Sequence, residues 1–198
     1  MQLAIVTDLN RCIACHTCTV ACKMENNVPI GLYYVKVLRV GPNPKYQGAK
    51  FPDVEMYFLP MQCQHCKDAP CIKACPEGAF SKTAEGIVLI DKAKCVGARQ
   101  CNLACPYNVP QFNKEQYVTE KCTLCAHLVQ QGEKPMCVTG CVGQARTFGD
   151  LDDPNSDVSK LVAKAGDRAY MLPDSGNHPA FRYILGKEKW VHAIPKIT

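Results

Sequence analysis

Fifteen cysteines in a chain of 198 residues fall into four tight groups, and their spacing restricts what the chain can fold around. The first group, RCIACHTCTVAC, spaces Cys12, Cys15, Cys18 and Cys22 as C-x2-C-x2-C-x3-C. The second, QCQHCKDAPCIKACP, spaces Cys63, Cys66, Cys71 and Cys75 as C-x2-C-x4-C-x3-C and ends on Pro76. The third, KCVGARQCNLACPY, has Cys95, Cys101 and Cys105 followed by Pro106, with Ala98 where a second cysteine would stand. The fourth splits KCTLC, with Cys122 and Cys125, from MCVTGC, with Cys137 and Cys141.

Thiols at this density hold disulfides or metal. Disulfide frameworks belong to secreted chains with an even number of cysteines, and here the number is odd. Zinc sites pair C-x2-C knuckles with one another or with H-x3-5-H. Three cysteines at x2, x2 spacing closed by Cys-Pro do not follow that plan, although His16 and His65 lie inside two of the groups. Iron-sulfur clusters do fit. A C-x2-C-x2-C loop brings three thiolates to three corners of one cubane, and the fourth cysteine ligates the other cluster of a pair. The x3 step is one helical turn, which carries the last cysteine away from the first three, and a following proline ends the helix there.

This rule sets the pairings. Groups two and three give Cys63, Cys66 and Cys71 with Cys105, and Cys95 and Cys101 with Cys75. Groups one and four give Cys12, Cys15 and Cys18 with Cys141, and Cys122, Cys125 and Cys137 with Cys22. Fifteen cysteines and Ala98 fill four quartets with nothing left over. Alanine has no donor atom, so the Cys75, Cys95, Cys101 site has an open corner. It suits a 3Fe-4S cluster beside three 4Fe-4S clusters. The alternative is a fourth 4Fe-4S cluster with water or another residue on the open iron.

Other residues carry weaker signals. His16, His65 and His127 read as packing or hydrogen-bonding side chains near the clusters. Lys73, Lys94, Arg99 and Lys121 flank cysteines, where they either tune potentials or are solvated surface. No nucleophile triad, phosphate loop or paired-carboxylate site is present. The formal charge of +5 counts cysteine as neutral. Thiolate cages reverse that balance, so it is no nucleic-acid footprint. No apolar run is long enough to span a membrane, and MQLAIVTDLNR has neither the basic and apolar regions of a signal peptide nor a twin arginine.

The segments around the cysteines repeat. AIVTDLNRC and GIVLIDKAKC each place a β-branched run and an aspartate ahead of the first cysteine, and YVTEKC is a looser copy. The unit predicted is a short strand, a cysteine-bearing turn and a short helix. LYYVKVLRV (32–40) and DVEMYFLP (53–60) predict two strands joined by the turn-rich GPNPKYQG. DPNSDVSKLVAKAG predicts a short helix capped by Asn155 or Ser156 and stopped by Gly166. The tail NHPAFRYILGKEKWVHAIPKIT either wraps its own domain or lies against a partner.

The chain resembles the iron-sulfur, electron-transfer subunit of the DMSO reductase family of molybdenum or tungsten enzymes. The resemblance runs through TDLNRCIACHTCTVACKMENN, CQHCKDAPCIKACPEGAF, LIDKAKCVGARQCNLACPYNVPQFN and EKCTLCAHLVQQGEKPMCVTGC to a closing aromatic strand in HPAFRYIL. It implies an α+β fold of two ferredoxin-like cluster-binding halves related by a pseudo-twofold. These are residues 1–30 with 114–150, and residues 61–113. Residues 31–60 are then a β-hairpin insertion, and 151–198 a C-terminal helix and partner-docking tail. It implies four clusters in a line, relaying single electrons between a large molybdopterin- or tungstopterin-binding catalytic subunit and a membrane anchor or soluble carrier. The Cys12, Cys15, Cys18, Cys141 cluster would lie nearest the catalytic partner and the Ala98 cluster last in line.

The iron-sulfur subunit of respiratory nitrate reductase is similar in lacking the same second cysteine; it has tryptophan there and holds a 3Fe-4S cluster. This chain departs from the family pattern at Lys23 and Val142, which replace proline after Cys22 and Cys141, and at Ala98, which is not tryptophan. A freestanding polyferredoxin serving several enzymes is the alternative function, and a zinc-dependent interaction module a third. Maturation in the cytoplasm is expected. The final site is then cytoplasmic, or periplasmic by co-export with a partner.

Overall fold

The structure is a computed structural model that describes residues 1–186; the last part of the tail, 187–198, lies outside the described residues. In chain order the elements are β1 (Leu3–Asp8), α1 (Thr17–Glu25), β2 (Val35–Pro44), β3 (Val54–Gln62), α2 (Pro70–Lys73), β4 (Phe80–Lys82), β5 (Val88–Ile90) and α3 (Gln100–Ala104). There follow β6 (Gln111–Asn113), β7 (Val118–Glu120), α4 (Ala126–Val129), α5 (Met136–Thr139), β8 (Arg146–Asp150), α6 (Asp157–Ala165), β9 (Ala169–Tyr170) and β10 (Arg182–Ile184).

β1 reads LAIVTD, and a continuous apolar run suits a strand covered on both faces. Ala4, Ile5 and Val6 are fully buried. β1 lies inside a sheet of order β8-β1-β10-β9. β8 pairs with it antiparallel, Leu3 opposite Asp150, and β10 pairs parallel, Val6 opposite Arg182. The parallel partner comes from HPAFRYIL, so that part of the tail wraps its own domain, with Phe181 and Tyr183 fully buried. α6 covers one face of this sheet, packing Val158 and Ala165 with Val6 and Ile184. Ser156 is its cap: Oγ accepts the Ser159 N–H at 3.2 Å, and Gly166 ends the helix at φ 56°.

β2 and β3 form the expected hairpin, but β2 runs four residues into the segment read as a turn. The pairing shifts register between Val40 and Asn43, a bulge that takes in Gly41 and Pro42. Gly41 fits there because its φ is +99° and a Cβ would stand 2.6 Å from the Glu55 carbonyl oxygen. Proline is tolerated at a bulge because no ladder bond is asked of it.

The remaining sheets, β4–β5 and β6–β7, are two-stranded. α2, α4 and α5 have four residues and α3 five, too short to hold helical shape alone. α1 packs on α5 and α2 on α3, which brings the four C-x3-C helices together in pairs. The result is an α+β arrangement of small sheets and short helices whose core includes Cys18, Cys22, Cys66, Cys71, Cys101, Cys122 and Cys137. Among the described residues, no helix is long and apolar enough to cross a membrane.

Candidate metal centres

The four cysteine loops share one left-handed step. The residue before the second position is left-handed in each: Ala14 (φ 56°), His65 (φ 44°), Gly97 (φ 69°) and Leu124 (φ 56°). The next residue is Cys15, Cys66 or Cys125 in three loops and Ala98 in the other. Non-glycine residues persist in this region only where their surroundings hold them. The third loop therefore keeps the turn of the first, left-handed again at Arg99 as at His16, and lacks only the sulfur. Its glycine has a local cause, since a Cβ at Gly97 would stand 2.9 Å from the Tyr117 ring and 3.0 Å from Phe112. Those rings meet edge to face at 5.2 Å, and Arg99 lies 4.5 Å over Phe112. Ala98 itself is exposed.

The thiols converge in sets. Cys12, Cys15, Cys18 and Cys141 line one cavity, with Arg146 on its wall. Cys63, Cys66, Cys71 and Cys105 line another, with Lys121 beside them. Cys22 lies within electrostatic reach of Cys137 and Cys125, and Cys122 within reach of Cys22 and Cys137. Asn26 Nδ2 spans this third set, 3.7 Å from Cys22 Sγ and 3.6 Å from Cys125 Sγ. Cys95 and Cys101 neighbour each other, and Cys75 stands just past α2, which packs on α3. Among the described residues, no three His, Cys, Asp or Glu side chains close on a point as a single metal ion requires. Thiolates arranged around a space, with few other donors, suit the larger body of an iron-sulfur cluster.

Two family models, each described as a 4Fe-4S dicluster domain, match residues 11–79 and 54–151. A dimethyl sulfoxide reductase iron-sulfur subunit, so assigned in Halobacterium salinarum, is 42% identical over 92% of this chain and 79% of its own length. A subunit of the sulfite dehydrogenase of Allochromatium vinosum is 35% identical over 98% and 88%. The arsenate respiratory reductase iron-sulfur subunit of a Shewanella species is 32% identical over 93% and 96%. The chain belongs to the iron-sulfur, electron-transfer subunits of the DMSO reductase family. It is an electron-relay protein of the 4Fe-4S type.

In this iron-sulfur subunit the sulfurs are supplied with N–H donors. Two of the fourth-position cysteines share one pattern: the Ala79 N–H donates to Cys75 Sγ at 3.3 Å and the Ala145 N–H to Cys141 Sγ at 3.2 Å, each four residues on. The Leu124 N–H donates to Cys122 Sγ at 3.3 Å and the Thr119 N–H to Cys95 Sγ at 3.3 Å. Asn177 Nδ2 donates to Cys66 Sγ at 3.2 Å. Hydrogen bonds of this kind favour the more negative, reduced state. Burial pushes the Cys22, Cys66 and Cys71 thiols up to about 12, and neighbouring thiolates add to it. Cys15, which is exposed, is lowered instead by hydrogen bonds from Thr17.

The polar residues singled out in the sequence divide. His65 is fully buried: Nδ1 accepts the Val88 N–H at 3.0 Å and the ring stacks on Phe181 at 5.7 Å. Burial, with Lys121 and Lys82 nearby, holds it neutral. His127 pairs with Glu25 at 2.8 Å, and exposed His16 precedes α1. Lys73 and Lys94 are solvated, and Lys94 stands 3.8 Å from Asp91. Lys121 is not surface: it is 1% exposed and donates to the carbonyls of Val88 and Cys122. Sequence reasoning passed over Arg146, Asn177 and Thr119. Each is a lone residue without a motif, and each reaches its cysteines only through the fold.

Proposed function

We propose that this subunit relays single electrons through four clusters, held by Cys12, Cys15, Cys18 and Cys141; by Cys22, Cys122, Cys125 and Cys137; by Cys63, Cys66, Cys71 and Cys105; and by Cys75, Cys95 and Cys101. The first three are 4Fe-4S clusters and the last a 3Fe-4S cluster with its open corner at Ala98. When bound, the clusters supply one-electron carriers. The protein fixes their spacing, excludes water from most of their sulfurs and sets their potentials through N–H donors and buried charge.

The observation that carries this reading is the left-handed step common to Ala14, His65, Gly97 and Leu124, with Ala98 in the place of the second cysteine. The packing of α1 on α5 and α2 on α3 supports two ferredoxin-like halves, 1–30 with 114–150 and 61–113, related by a pseudo-twofold. The relatives are subunits of reductases or dehydrogenases by name, which supports a large molybdopterin- or tungstopterin-binding catalytic partner. A soluble carrier or membrane anchor takes the other end of the line, and cluster assembly precedes any export.

Iron analysis with EPR of the anaerobically purified, oxidised protein tests it. Oxidised 4Fe-4S clusters of this type are silent, and a 3Fe-4S cluster gives a narrow, nearly isotropic signal. One such spin with about fifteen irons per chain is expected. About sixteen irons and a silent spectrum overturns the assignment at Ala98. Zinc without iron overturns the relay.

A further inference from the structure

Arg146 opens β8 opposite Thr7 of β1 and is 5% exposed. Its Nε, Nη1 and Nη2 have no hydrogen-bond partner among the described residues. A buried guanidinium left this way is costly unless an anion compensates it. Among the described residues no carboxylate pairs with it, and thiols stand beside it. Arg146 lines the cavity of Cys12, Cys15, Cys18 and Cys141. Its charge also bears on Cys22 and Cys137 of the neighbouring set.

We propose that Arg146 is a counter-charge shared by two cages, Cys12, Cys15, Cys18, Cys141 and Cys22, Cys122, Cys125, Cys137, and that it raises the reduction potential of both clusters. The inference rests on the cluster reading given above. A guanidinium keeps its proton even when buried, so the side chain stays a cation beside the cages. Reduction brings one electron onto a cage from a neighbouring carrier, which is oxidised in the same step, and no bond forms or breaks. A fixed positive charge beside a cage favours the state with the extra electron. Because one guanidinium serves both cages, it lifts the two together and adds little to the difference between them. Lys121 stands in a similar place between the second and third cages, but its ammonium is already committed to two carbonyls.

The test is an EPR-monitored redox titration of the cluster-loaded full-length protein carrying Arg146→Met, Arg146→Gln or Arg146→Lys. The two neutral variants are expected to lower the reduction equilibrium constant of two of the clusters at least tenfold, 59 mV for one electron, and to leave the other two unchanged. Arg146→Lys, which keeps the charge, is expected to stay within about threefold of wild type. Unchanged potentials in the neutral variants, or an equal fall in Arg146→Lys, overturns the proposal. Should the neutral variants fail to assemble clusters, assembly with wild-type potentials in Arg146→Lys upholds it, and failure of all three alike overturns it. Wild-type protein without iron and sulfide sinks the cluster reading itself, before any variant is compared.

Discussion

Asn177 donates from Nδ2 to Cys66 Sγ at 3.2 Å and to Tyr107 Oη at 2.8 Å, so a residue near the end of the described chain serves a cysteine 111 positions earlier. Tyr107 Oη in turn donates to the Pro173 carbonyl at 2.9 Å. The donor to sulfur favours the reduced cluster, and Asn177→Ala removes it while leaving Tyr107 its other partner. The cluster of Cys63, Cys66, Cys71 and Cys105 should fall in potential by about 40 mV, the equivalent of about 1 kcal/mol. Redox titration of the variant reads this directly. An unchanged potential at that cluster would mean that the contact orders the tail and does nothing for the sulfur.

In the proposed assignment Ala98 stands where a cysteine would complete the last quartet, on a loop turned as the first one is. Ala98→Cys should need no backbone movement, because Ala14–Cys15–His16 runs left-handed on either side of its cysteine as Gly97–Ala98–Arg99 does. The expected product has a fourth complete cubane: the oxidised EPR signal disappears and iron rises by about one per chain. Persistence of the signal at full strength would show that the new thiol does not reach the open corner.

The cysteine pattern located the thiol-bearing loops before any fold, because the x2 and x3 steps are local geometry. The strands leading into Cys12, Cys95 and Cys122 were readable for the same reason. What stayed hidden depends on contacts far apart in the chain. Lys121 reads either as a tuning charge or as a solvated flank of Cys122, and only the fold shows its ammonium buried against the Val88 carbonyl of another strand. Arg146 follows Cys141 closely but matters to Cys22, which α1 brings to it through α5. The left-handed step in the loops was also invisible, since alanine, histidine, glycine and leucine fill it without a common side chain.

Gly97 separates conformation from space. Alanine and leucine occupy the equivalent positions at φ 56°, so a left-handed backbone alone does not demand glycine there. The Tyr117 and Phe112 rings do, at 2.9 Å and 3.0 Å from the point where a methyl carbon would stand. Gly97→Ala should therefore cost about 2 kcal/mol and reduce occupancy of the Cys75, Cys95, Cys101 cluster while sparing the others. Adding Tyr117→Ala should recover part of that loss. Spectroscopic quantification of each cluster in the single and double variants checks it; equal losses in both would place the cause in the backbone and not in the ring.

Burial raises Cys22, Cys66 and Cys71 to about 12, from an ordinary value of 9.0. The cluster-free fold therefore holds them as thiols at neutral pH, whereas iron binds thiolates, and loading expels one proton from each. A folded-state value above the unfolded one stabilises the cluster-free fold fully below pH 9 and loses that contribution as pH rises from 9 towards 12. The loss is about 1.4 kcal/mol per group for each pH unit crossed. The loaded protein has the same cysteines as thiolates at every pH in that window and loses nothing through them. Denaturant unfolding of the two forms from about pH 7 to 10 should show stability falling steeply above pH 9 only without clusters. Parallel slopes in the two forms would mean that these thiols are not the iron ligands.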